Sequence, residues 1–83
     1  MAYTTGDSVK IISHTSSFHG EPAIFKGYAN GRYGNDFVHV SLVNQDKTIT
    51  LARTSVVPCR TVVHNGKVYG FTTEELEAAR KII

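Results

Sequence analysis

Eighty-three residues and 9.1 kDa make a single domain, because chains divide into separate cores only at several times this length. A composition of 41% hydrophobic and 19% charged residues with seven Gly and two Pro excludes a disordered, collagen-like or low-complexity chain. The net charge of +2 permits a polyanionic partner without demanding one, since no two basic residues are adjacent before Arg80-Lys81.

Residues 1–6 read as a short leader, and Gly6-Asp7 turns the chain into residues 8–13 (SVKIIS), an alternating first strand. Residues 14–22 (HTSSFHGEP) are polar and closed by Gly20 and Pro22, which predicts a long exposed loop carrying one aromatic, Phe18. Residues 23–29 (AIFKGYA) give a second strand in which Gly27 marks a bulge or sharp bend. The turn at residues 30–35 (NGRYGN) follows, and its Asn-Gly pair favours a tight reversal.

Residues 36–43 (DFVHVSLV) place Val38, Val40 and Leu42 on one face and Phe37, His39, Ser41 and Val43 on the other, the period of a half-buried strand. Past the turn at residues 44–46, residues 47–51 alternate Ile49 and Leu51 inward with Thr48 and Thr50 outward, completing a hairpin. Residues 52–58 (ARTSVVP) predict one helical turn ending at a proline. Extended residues 59–64, the turn Asn65-Gly66 and residues 67–70 form a second hairpin. The last segment, residues 72–83, opens on a capping box with Thr72 as N-cap and Glu75 three positions on, and predicts a helix of about ten residues.

In this order the chain resembles an SH3-like barrel. The residues that carry the likeness are the Gly6-Asp7-Ser8-Val9 opening, the loop closed by Gly20, the strand with Gly27, the Val38-Val40-Leu42 strand and the Arg53-to-Pro58 turn before the final strand. The resemblance covers about residues 5–63 and lies in architecture. It implies a mainly β fold, a small barrel of five to six antiparallel strands over residues 1–71, with a C-terminal α-helix over residues 72–83 in the same domain. The superfamily includes KOW-type modules of ribosomes and polymerases, the small accessory subunit of photosystem I and a plasmid-borne reductase. These bind nucleic acid, dock onto protein complexes or catalyse, so fold alone does not choose among them. The chain departs from proline-peptide binders in having no Trp and lacks the Val-Gln-Ile-Tyr stretch of the reductase.

No catalytic constellation emerges from the residues. His14, His19, His39 and His64 lack the spacing of metal ligands, so neither metal nor cofactor is expected. Cys59, the only cysteine, has neither a disulfide partner nor fellow thiolates for zinc, and its Val-Val-Pro-Cys setting suits an inert buried thiol. No apolar run is long enough to span a membrane and the opening residues do not resemble a signal peptide, which leads to the expectation of a cytoplasmic protein.

What remains is a binding surface of Phe18, Tyr28, Arg32, Tyr33, Phe37 and Lys26, aromatics mixed with cations around two loops. Protein-interface hot spots favour that mixture, and so do single-stranded nucleic acids. The alternative reading has Phe25, Tyr28 and Phe37 filling the core. The expected function is a non-catalytic accessory or regulatory protein that docks on a protein complex, of a kind phage and plasmid genomes encode. The second reading is a nucleic-acid module using Arg32, Tyr33, Lys26 and Lys10. Leu76, Ala79 and Ile83, with Ile82 alongside, form a narrow apolar stripe on the terminal helix that can pack on the barrel or on a partner, and the large side chains Leu76, Ile82 and Ile83 are expected to be covered by a partner or a second copy.

Overall fold

The computed structural model describes residues 3–29 and 36–82, with side chains to Ala79 at the C-terminal end. The chain order is β1 (Ser8–Ile11), β2 (Pro22–Tyr28), β3 (Phe37–Leu42), β4 (Lys47–Ala52), a 3-10 turn (Arg53–Ser55), β5 (Val56–Pro58), β6 (Arg60–His64), β7 (Lys67–Phe71) and α1 (Thr73–Ile82). The fold is mainly β and antiparallel, with one helix at its C-terminal end. Five strands form a sheet in the order β4-β3-β2-β1-β5, and β6 and β7 form a separate two-stranded sheet. Among the described residues β4 and β5 are unpaired edges, so the larger sheet is not closed into a barrel.

Seven strands stand where five to six were expected, because the chain breaks pairing at Cys59. Up to Pro58 it pairs with β1, and the Cys59 N–H still donates to the Ser8 carbonyl (3.1 Å). Beyond that point β1 has no residues left to offer. The chain before Ser8 turns away, with Gly6 N–H donating to the Phe25 carbonyl (2.9 Å) and Asp7 N–H to the Thr4 carbonyl (3.0 Å). Residues 60–64 therefore pair only with β7.

The core lies on one face of the larger sheet, where the alternation in the sequence puts it. Val9 and Ile11 of β1, Ala23 and Phe25 of β2, Val38, Val40 and Leu42 of β3, and Val56 of β5 are buried. Tyr3, Phe18, Tyr28, Ile49 and Leu51 pack around them half-buried. The β2–β3 register slips between Phe25 and Gly27, the bulge that Gly27 predicts, and Gly27 adopts a φ of 156° that side chains rarely take. At the Asn65-Gly66 turn both residues have positive φ, 52° and 78°, as the tightest hairpin reversal requires.

Phe37 departs from the core reading. It begins β3 on the face away from Val38 and is 40% exposed, since successive strand residues alternate between faces and the inner face is already filled. The accessible surface, 5827 Å², exceeds by about 900 Å² the roughly 4,900 Å² expected of a compact chain of this mass. The molecule is elongated, 47 Å along its long axis against 26 and 25 Å.

Candidate functional site

Lys10 and His19 stand between two hollows. One, of about 620 Å³, is an open groove lined by Ile12, Val57, Pro58 and residues 72–75 as well as by these two. The other, of about 230 Å³, lies against β7 and the Gly20–Pro22 segment. Lys10 is not a free cation in either, because its ammonium donates to both carboxylate oxygens of Glu75 at 2.8 and 3.0 Å; the smaller hollow is also lined by Lys67. Glu75 also completes the capping box: the Thr72 N–H donates to its Oε1 (3.0 Å), and its own N–H donates to the Thr72 hydroxyl (3.2 Å). One carboxylate thus caps α1 and ties it to β1.

The Lys10 hydrogen bond, aided by the Thr72 N–H, holds the Glu75 carboxyl below the usual carboxylate range. A lowered pKa stabilises the fold above the ordinary value of the carboxyl, and that contribution disappears as pH falls through the lowered one. The pair is solvent-exposed on the Glu75 side, so the effect is small. A carboxyl titration followed by NMR is expected to show Glu75 deprotonating at lower pH in the intact chain than in Lys10→Met. Equal midpoints in the two proteins would show that the tie does not form in solution.

The histidines do not converge. His14 and His19 stack on one another with centroids 4.7 Å apart, and His19 Nδ1 lies 3.2 Å from the Ser13 carbonyl. His39 is half-buried, its Nδ1 2.7 Å from the hydroxyl of its cross-strand partner Thr50. Glu21 accepts from Asn44 Nδ2 (3.3 Å). Among the described residues no three His, Cys, Asp or Glu side chains come together. Cys59 is half-buried, and burial pushes its thiol above the ordinary value, with Lys10 opposing and Glu75 adding to the shift. The neutral thiol is the poorer nucleophile.

The aromatic-cationic surface anticipated from sequence is spread apart. Phe18 packs half-buried on the core with the Lys47 ammonium 5.0 Å from its ring centre, at the end of the sheet where Leu42 pairs with Lys47. Tyr28 sits at the opposite end of β2, paired with Val38. Tyr28 lies five residue steps beyond Ala23 along β2, about 17 Å at strand spacing. The Tyr28 hydroxyl accepts from the Tyr3 N–H (2.9 Å), and its ring meets Phe25 edge-on at 5.0 Å. Lys26 is exposed. Arg32 and Tyr33 lie outside the described residues, as do Ile83 and the side chain of Ile82, while Leu76 is half-buried.

The hairpin β6–β7 is the feature that the sequence reading left out of the site. Every residue of β6 is exposed. Val62 and Val63, adjacent and therefore on opposite faces, are 49% and 70% exposed. The cross-strand pairs Arg60–Phe71, Val62–Tyr69 and His64–Lys67 share one face. The other face meets the body through Gly70, which is buried. A Cβ added there would lie 3.2 Å from both Cys59 Sγ and Pro22 Cβ, so glycine permits the close approach. Asn44 makes the second tie: its Oδ1 accepts from the Val68 N–H (2.9 Å) and its Nδ2 donates to the Val68 carbonyl (2.8 Å). That side chain reproduces the two bonds a neighbouring strand would make.

Among the described residues no helix is long and apolar enough to cross a membrane. Set beside known proteins, the chain matches no family model, no curated protein and no solved structure.

Proposed function

We propose that this chain is a non-catalytic binding module whose five-stranded sheet is related to the SH3-like fold in strand order while remaining open between β4 and β5, a small accessory protein that docks on a protein complex through the hairpin β6–β7. The order β4-β3-β2-β1-β5, with a 3-10 turn between β4 and β5, supports the SH3-like reading. The observation that carries the function is the exposure of β6 along its whole length. Isolated two-stranded hairpins are marginal in water, and this one leaves Val62, Val63, Tyr69 and Phe71 open to solvent. Apolar side chains gathered on a projecting element mark a surface that a partner covers. The nucleic-acid reading is weakened at Lys10, whose ammonium is held by Glu75.

The test is co-purification of the tagged intact chain from its host beside a Val62→Glu, Val63→Glu double variant. Both side chains point to solvent, so the melting temperature is expected to stay within a few degrees. Proteins recovered with the intact chain are expected to be lost from the variant. Recovery of the same proteins with both would remove the hairpin from the docking surface.

A further inference from the structure

We infer that the open edge of β6 is where the partner docks, by adding an extended segment of its own as a further strand; the inference rests on the hairpin being the docking element. The segment it fits alternates apolar residues and is flanked by acidic ones.

The two edges of the hairpin are treated differently by the fold. On β7 the outward N–H and C=O of Val68 are both taken by Asn44. Val63 faces Val68 across the hairpin. Antiparallel pairs alternate between bonded and non-bonded, so if Val68 points its polar groups away from β6, Val63 and Thr61 point theirs away from β7. Among the described residues no strand lies on that side.

Natural edges are usually blunted by proline, lysine or a bulge. Residues 60–64 (RTVVH) contain none of these, and their register with β7 is unbroken. Three β-branched residues in succession, Thr61, Val62 and Val63, favour the extended form. Strand addition uses main-chain bonds for affinity and alternate side chains for specificity. Val62 on one face and Val63 on the other offer an apolar contact to each side of an added strand.

Charge selects the occupant. Residues 59–73 hold Arg60, His64 and Lys67 and no acid, so acidic flanks on the partner are complementary. A second copy is disfavoured, because pairing two β6 edges brings an Arg60 from each chain and no carboxylate from residues 59–73 of either, so it lacks the charge complement an acidic segment supplies. A nucleic acid would use the aromatic face instead, and there Tyr69 is 39% exposed with the Lys67 ammonium 5.4 Å from its ring centre. It would also leave the row of main-chain groups unused.

The probe is a synthetic peptide of alternating Val and Thr between pairs of Glu, added to the isotope-labelled intact chain. Binding is expected to slow hydrogen exchange at the Thr61 and Val63 amides and leave Val68 unchanged. Val63→Pro removes an outward N–H without touching the hairpin ladder, and is expected to weaken binding about tenfold by removing main-chain bonds. Circular dichroism should show its β content retained. Three outcomes overturn the inference: no peptide binding at millimolar concentration, equal affinity for Val63→Pro, or protection of β6 by oligothymidylate or by self-association rather than by peptide. If host proteins co-purify with Val63→Pro but not with the Val62→Glu, Val63→Glu variant, the hairpin remains the docking element and strand addition fails.

Discussion

Replacing Phe25 by alanine is expected to lower the free energy of unfolding by about 3–5 kcal/mol, most of what a domain of this size has to spare. Among the described residues Phe25 is the largest fully buried side chain. Its ring stacks on Tyr3 at 5.4 Å and meets Tyr28 at 5.0 Å. The same residue holds the opening turn: its N–H donates to the Asp7 carbonyl (2.8 Å) and its carbonyl accepts from Gly6 (2.9 Å). Deleting the ring leaves a cavity between β2 and the N-terminal segment that two half-buried tyrosines cannot fill while keeping their own bonds. Urea denaturation of the intact chain and the variant measures the effect. A loss under about 1.5 kcal/mol, the range of volume-conserving exchanges, would mean that the open sheet collapses around the gap and that Phe25 is not its keystone.

The parts of this fold that were legible in the sequence are those specified by neighbours in the chain. The period-two run Val38-Val40-Leu42, the bulge at Gly27, the Asn65-Gly66 reversal and the Thr72–Glu75 capping box each depend on a few consecutive residues. Local chemistry decides them. What escaped is carried by distance. Tyr3 sits in a polar leader, and nothing adjacent to it signals that it bonds Tyr28, 25 residues away. Asn44 has the composition of a turn residue, and its service as a substitute strand for Val68 depends on where the second hairpin folds back. Glu75 was legible as a cap but not as the partner of Lys10. The β-branched run of residues 60–64 reads the same at an edge as inside a sheet, so the exposure of β6, on which the function proposed here depends, is a property of the assembled chain alone.

Asn44→Ala is expected to release the hairpin while leaving the larger sheet in place. The substitution strips the Val68 N–H and carbonyl of their partners in a half-buried setting, which costs about 1–3 kcal/mol. It also removes the donor that Glu21 accepts from. A hairpin of two five-residue strands does not survive alone, and its other tie is the packing of Gly70 beneath Cys59 and Pro22. The free-energy loss therefore falls on local opening rather than on global unfolding. Hydrogen exchange resolves the two: the amides of β6 and β7 are expected to exchange faster in the variant, while Val9 and Val40, inside the five-stranded sheet, keep their protection. Asn44→Asp keeps an acceptor for the Val68 N–H, loses the donor and sets a second carboxylate near Glu21, so it is expected to open the hairpin as well. Uniform loss of protection across both sheets would make Asn44 a determinant of the whole fold. Unchanged exchange would mean that the Gly70 contact alone seats the hairpin, and the contrast between a closed β7 edge and an open β6 edge would then lose its energetic basis.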